Sequence, residues 1–231
     1  MYYDLHIHSA LSPCSDDSMT IHNIINMSLL KGLDLIAITD HNSLLQQDCF
    51  LKAAKGKIAI LIGVEIQTSD KVHVLGYFPV KTDLKPIQRY LDQHLFTQMN
   101  QPEYYGNQLI LDENDRVVMV EDRLLIGSLD RTCKEVIDDI HAFGGKAILA
   151  HVYRKYGYIA TYGKLDIDLA FDGIEVQAKD YSRLLKMYPE VAQRLILHNS
   201  DAHYLGDIHE PEYRLTQEAY HFLKGDAKCL I

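Results

Sequence analysis

No apolar run in this 231-residue chain approaches the ~20 residues needed to cross a bilayer, so no membrane span is expected. The first residues, Met1 to His8, lack a basic stretch followed by an apolar one; no signal peptide is expected, and the setting is read as cytoplasmic. Cysteine is sparse: Cys14, Cys49, Cys133 and Cys229 are far apart and form no CxxC pair, which favours free thiols in a reducing compartment. No internal repeat, low-complexity tract or Pro/Gly-rich linker divides the chain, so one domain is expected. Positive charge is also short, with 23 Lys and Arg against 32 Asp and Glu and a net charge of -9. Binding a long duplex releases counterions from phosphates through clustered Lys and Arg, so long duplex nucleic acid is not expected as a partner. A small phosphorylated substrate is not excluded by this balance, because divalent ions would reverse the local sign inside a pocket.

What the chain does have is 47% apolar content, enough to bury a sizeable core without disulfides. Short β-like runs alternate with helix-like segments, the pattern of βα units around a largely parallel sheet. Strands are expected at Tyr2–His8, Leu33–Thr39, Ile58–Ile66 and Val72–Phe78, the last two joined by the turn Thr68–Lys71. Helices are expected from Thr20 to Lys31, after Ser43, and from Leu84 to Gln98. Gln108–Leu111 and Arg116–Glu121 flank Asp112-Glu113-Asn114-Asp115 and read as a β-hairpin inserted near 100–130. A helix at Thr132–Phe143 and strands at Lys146–Ala150, Gly173–Gln177 and Leu195–Asn199 continue the alternation.

Metal-competent side chains recur at strand ends. In Asp4-Leu5-His6-Ile7-His8, extended geometry projects His6 and His8 together, a pair suited to one transition-metal ion. Asp4 shares that face and could orient a ligand. An apolar strand then ends in Asp40-His41, Gly63-Val64 precedes Glu65, and His73 interrupts an apolar run. Lys146–Ala150 leads into His151, and Leu195–Asn199 leads into Asp201-Ala202-His203. The C-terminal ends of parallel strands are where α/β folds build active sites, and a bland explanation would have to account for each coincidence separately.

The ordered set DLHIHS, CSDD, ITDHN, GVE, VHVLGYF, AHVYR and NSDAH resembles the PHP (polymerase and histidinol phosphatase) family across essentially the whole chain. The resemblance implies an α/β fold, a distorted (β/α)7 TIM-like barrel, with the hairpin region near 100–130 inserted in it. It implies two or three divalent ions (Zn, Mn or Fe) held by His6, His8, Asp16, His41, Glu65, His73, His151, Asp201 and His203. Asp16 is preferred to its neighbour Asp17 by counting back from Met19-Thr20.

Other residues are weighed beside that set. Asp40 adjoins a ligand and could hold a histidine or a water, or simply cap the strand end. Arg154 could clamp a phosphate bidentately; Lys179 and Arg183 are weaker candidates of that kind. Glu175 occupies a position for a site-facing acid, and Cys14 is read as a bystander. His22, His94, His141, His198, His209 and His221 lack strand-end placement.

The expected reaction is hydrolysis of a small phosphorylated substrate or nucleotide, by metal-activated hydroxide attacking phosphorus, with Asp40 and Arg154 as catalytic candidates. Two rivals stand beside it. An amidohydrolase would share HxH and a late Asp but usually carries a bridging carboxylated lysine at a mid-chain strand end, where this chain offers Glu65. A non-catalytic metal-binding regulatory module would hold metal without turnover.

Overall fold

The structure is a computed structural model that describes residues 1–226; the Cys229 thiol lies outside them. From the N-terminus, β1 (Tyr3–Ile7), α1 (Ile21–Leu30), β2 (Leu35–Ile38), α2 (Gln47–Ala54) and β3 (Ala59–Gln67) alternate in turn. β4 (His73–Phe78) follows β3 with no helix between them. Then come α3 (Leu84–His94), α4 (Pro102–Tyr105), and the short pair β5 (Leu109–Leu111) and β6 (Val117–Val120). The rest comprises α5 (Cys133–Ala142), β7 (Lys146–Leu149), α6 (Tyr158–Tyr162), β8 (Gly173–Glu175), α7 (Ala178–Met187), β9 (Leu195–Leu197) and α8 (Gln217–Leu223).

Seven strands form one sheet in the order β1-β2-β3-β4-β7-β8-β9. All pairs are parallel except those of β4, which runs antiparallel to both β3 and β7. A hairpin therefore replaces one βα unit. Its consequence is positional: the first residue of β4, His73, lies at the same rim as the C-terminal ends of its neighbours. At that rim His8 N donates to Ala202 O (2.9 Å) and Ala202 N to His6 O (3.1 Å). These bonds lay the segment after β9 alongside β1, so the sheet curls until its two ends meet there.

The strands are buried on both faces, as parallel strands covered by helices are, and β1 and β2 have no exposed residue. One apolar cluster fills the interior from Tyr3, Leu5, Leu35, Ala37, Leu61, Leu75, Tyr77, Ile148 and Leu197. Tyr77 Oη crosses it to donate to Leu5 O (2.7 Å), which satisfies a buried hydroxyl. The remaining core lies between sheet and helices, for example Val74, Ile137, Ile140 and Leu149 under α5. That helix starts with a full capping box, Thr132 with Glu135.

The helix expected to reach Gln98 stops at His94. Leu95 turns to extended backbone, and Leu95 and Met99 bridge instead to Leu129 and Arg123, the returning end of the insertion. β5 and β6 pair antiparallel as the inserted hairpin. Asp115 at its turn accepts from Thr20 Oγ1 (2.8 Å) and His22 N (3.2 Å), capping α1 from outside. Asn42, beside His41, donates to Leu125 O (2.7 Å) and Gly127 O (2.6 Å), so the insertion is fastened to the rim.

Candidate metal centre

Eight of the side chains expected as ligands converge at the rim: His6, His8, His41, Glu65, His73, His151, Asp201 and His203. Glu65, toward the end of β3, is the hub. Its Oε1 lies 3.3 Å from His6 Nε2, 2.8 Å from His73 Nδ1 and 3.1 Å from His151 Nε2. Its Oε2 lies 3.4 Å from His8 Nε2 and 3.1 Å from His41 Nδ1. Asp201 Oδ1 stands 3.3 Å from His6 Nε2 and 3.4 Å from His8 Nε2. Among the described residues three overlapping groups could each hold an ion: His8, His41 and His203; His6, His8, Glu65 and Asp201; His41, Glu65 and His73. Each pair of groups shares one residue, His8, His41 or Glu65, and of these only Glu65, with two carboxylate oxygens, could serve two ions at once.

The donor set fits divalent cations. His6 Nδ1 lies 2.9 Å from Glu175 Oε2, which fixes the proton on Nδ1 and leaves the Nε2 lone pair facing the cluster. His8 Nδ1 donates to Ser12 Oγ (2.9 Å), whose own proton goes to Asp40 Oδ1 (2.7 Å). The two Nε2 lone pairs then face each other across 3.2 Å, an arrangement that needs a cation between them or a proton on one. The Nδ1 atoms of His41 and His151 are buried without a hydrogen-bond partner.

The charge pattern says the same. Burial alone would lower His6, but Glu175, Glu65 and Asp201 outweigh it and hold the ring well above its ordinary value. His8, also opposed by burial, is carried to about 9 by its hydrogen bonds with Asp201 and Glu65. Burial and the charge of His8 push His41 well below its ordinary value and His203 down to about 4. Burial would raise Glu65 and Asp201, yet the surrounding imidazoles hold both carboxyls below the usual range. Without ions, the surrounding carboxylates favour protons on His6 and His8.

Local backbone holds these groups in place. His151 (φ 26°), Asp201 (φ 57°) and Asn42 (φ 47°) all take left-handed conformations, which cost non-glycine residues ~1–3 kcal/mol each. Gly157 is required by close approach: a Cβ there would sit 2.3 Å from His151 O. The tight loop it allows carries Arg154, Lys155 and Tyr156 over a cavity of about 210 Å³ above the cluster, whose other walls include Cys14 and Ile126. Arg154 Nη1 lies 3.0 Å from Asp201 Oδ2 with 46% of its side chain exposed.

Several expected roles change. Asp16 is not brought into the cluster: it is exposed, and Oδ1 accepts from Ser18 N (2.9 Å). Asp17 is exposed too and accepts from Asn107 (2.7 Å). Asp40 is not on the cavity wall; it accepts from Ser9 N (2.7 Å) and Ser12 Oγ (2.7 Å), and Ser12 in turn faces His8 Nδ1, which keeps the expected alternative that Asp40 holds a histidine. Asp4 acts through backbone: its carboxylate accepts from His6 N (3.4 Å), Ser200 N (3.2 Å) and His209 N (3.0 Å), tying down the segment that carries Asp201 and His203. Strand alternation misleads here because the β1–β2 register slips between Asp4 and Ile7. Glu175 is buried against His6. Gln67 was missed: its Oε1 lies 3.0 Å from His73 Nε2, and its two-residue spacing from Glu65 on β3 was the available signal. The six histidines set aside lie outside the three groups. Lys179 and Arg183 are absent from the cavity wall, and Arg183 stacks on Tyr153 instead (4.6 Å).

No curated protein matches the chain. Among solved structures, a candidate metal-dependent phosphoesterase of Bifidobacterium adolescentis is 17% identical over 96% of this chain and 94% of that chain, with a TM-score of 0.64. The lesion-specific endonuclease of Pyrococcus furiosus is 20% identical over 98% of this chain and 56% of that chain, with a TM-score of 0.67. An amidohydrolase of Chromobacterium violaceum is 18% identical over 91% of this chain and 90% of that chain, with a TM-score of 0.59. At such identities these likenesses speak for the fold. Endonuclease Q has also been solved on a 27-mer duplex with an abasic lesion at its active site; it is 20% identical over 88% of this chain and 49% of that chain, with a TM-score of 0.63. The expectation that a long duplex is excluded is thereby corrected: net acidity of a whole chain says little about a fold that holds duplex in a neighbour. The family model for the PHP domain matches residues 4–197, the span from Asp4 of the first strand to Leu197 of the last, and the chain belongs to the PHP domain family.

Proposed function

We propose that this chain is a metal-dependent phosphoesterase, with two or three divalent ions held by His6, His8, His41, Glu65, His73, His151, Asp201 and His203 at one end of a distorted (β/α)-type barrel. The observation that carries this reading is Glu65, one carboxylate within 3.4 Å of five imidazoles. When bound, such ions would lower the pKa of water and offset charge on phosphoryl oxygens. The chain's own groups supply the rest. Glu175 and the Asp40–Ser12 pair fix the tautomers of His6 and His8, and Arg154 and Lys155 present cations to an anion entering the cavity.

The substrate proposed is a small phosphorylated molecule or nucleotide. The cavity shares Ile126 and Tyr156 with a second cleft of about 390 Å³, where Phe96 and, from the insertion, Tyr105 offer aromatic faces. A nucleic-acid phosphoester is the second reading, favoured by the fold's likeness to Endonuclease Q on duplex. The test is phosphate release from nucleotides, sugar phosphates and oligonucleotides, single- and double-stranded, before and after chelation, alongside elemental analysis. Two or three ions per chain with chelator-sensitive release is the expected result. Cleavage of amides alone, or stable metal without release from any phosphoester, would replace the reading with an amidohydrolase or a regulatory module.

Arg154 gives a narrower expectation. Arg154→Ala should lower kcat/KM about 10²-fold, the order expected for losing one preorganised charge on a phosphoryl oxygen. Arg154→Lys should recover only part of it, because an ammonium lacks the planar fork. Steady-state kinetics decide; an alanine variant with unchanged kcat/KM removes Arg154 from the site.

A further inference from the structure

We propose that Cys14, and not Asp16, supplies the ligand that the Ser12–Ser18 segment contributes, adding a thiolate to the group of His8, His41 and His203. The proposal rests on the reading that this cluster binds metal, and goes beyond it by naming an unassigned donor and the class of ion it selects. Cys14 Sγ lies 3.1 Å from His203 Nε2. His203 Nδ1 donates to Asp201 O (2.8 Å), so Nε2 turns a lone pair, not a proton, toward the sulfur. A sulfur and a nitrogen on one tetrahedral zinc, with bonds of ~2.3 and ~2.0 Å, stand about 3.5 Å apart. The observed pair is therefore already near ligand-to-ligand spacing.

A second observation is independent of the cysteine. His41 is 3% exposed and lines the same cavity as Cys14 and His203, and its Nδ1, 3.1 Å from Glu65 Oε2, makes no hydrogen bond. A buried imidazole nitrogen this close to a carboxylate, with no hydrogen bond between them, marks a place for a cation on that wall.

The loop also decides which side chain can take the role. Ser15 Oγ donates to His8 O (3.3 Å) and His203 O (3.2 Å), and Asp16 N donates to His203 O (3.0 Å). With the backbone tied to both histidine segments, Cys14 faces the cavity while the Asp16 carboxylate is held outside by Ser18. A thiolate is a soft donor. It favours zinc, cobalt(II) or iron(II) over manganese or magnesium, whereas a carboxylate in its place would not.

The test uses the full chain, stripped of metal and reloaded with cobalt(II) without oxygen, with bound cobalt counted by elemental analysis. The expected result is a sulfur-to-cobalt charge-transfer band in the near ultraviolet, lost in Cys14→Ser and kept in Asp16→Asn. Iodoacetamide labelling read by mass spectrometry is the second measurement: cobalt or zinc should protect Cys14 in the unaltered protein, while Cys49 labelling is unchanged. This arm needs no variant to fold. Cobalt that binds without the band, or a band that survives Cys14→Ser, overturns the proposal and leaves the metal reading standing. Failure to bind any cobalt overturns both, and the elemental count tells the two failures apart.

Discussion

Glu65→Gln should abolish turnover, by roughly 10³-fold or more, and lower the number of ions the protein retains. The substitution keeps the shape of the side chain and removes only its charge. That charge is shared by five imidazoles, and Glu65, like His8 and His41, belongs to two of the three candidate groups but alone of them offers two carboxylate oxygens, so its loss disturbs much of the site. Losing one ligand from a single ion would weaken that ion alone; losing a bridging carboxylate should weaken both neighbours together. Elemental analysis of the variant beside the unaltered protein reads this directly, and cooperative unfolding checks that the fold persists. Turnover within tenfold of normal with a full complement of ions would remove Glu65 from the centre of the site.

Much of this site was legible because of where the fold puts it. Residues ending apolar strands, such as His41, Glu65, His151 and Asp201, are brought together by any sheet whose strands share a direction and curl, so spacing alone pointed to them. His73 reached the same rim by a different route, as the first residue of an antiparallel strand, and its strand-end position was visible while its direction was not. What failed was local geometry. Alternation along Asp4–His8 assumes an unbroken strand, and the slip in register between Asp4 and Ile7 gave Asp4 a tethering role. Counting residues from Met19-Thr20 could not foresee that a loop tied to His8 and His203 would turn Cys14 inward and Asp16 outward. The positions of Glu175 and Gln67 were visible in the sequence, but which histidine each one faces, His6 for Glu175 and His73 for Gln67, only the assembled sheet reveals.

The metal-free protein should be most stable near pH 6.5 and lose stability on either side, while the metal-loaded protein should hold its stability into alkaline conditions. On the alkaline side, His6 and His8 bind protons more tightly folded than unfolded. Their contribution is fully present below the unfolded value of about 6.5, and it is lost as pH rises from there through the folded value, about 9 for His8. At about 1.4 kcal/mol per unit, the His8 shift alone is on the order of 3 kcal/mol, or roughly 10 °C in Tm for a domain of this size. On the acid side, His41 and His203 are held neutral, so the unfolded chain takes up protons first and stability falls below about 6.5. Glu65 and Asp201, held below their ordinary values, add to that loss as pH falls further. Bound ions take the place of the protons on His6 and His8, and because ligands must be deprotonated, affinity rises with pH over the interval in which the stripped protein weakens. The gap in Tm between loaded and stripped protein should therefore widen from about pH 6.5 to about pH 9. Thermal melts of both forms across that range measure it. A stripped protein that melts at one temperature throughout would mean that His6 and His8 carry no such protons, and the lone pairs facing each other across 3.2 Å would need another explanation.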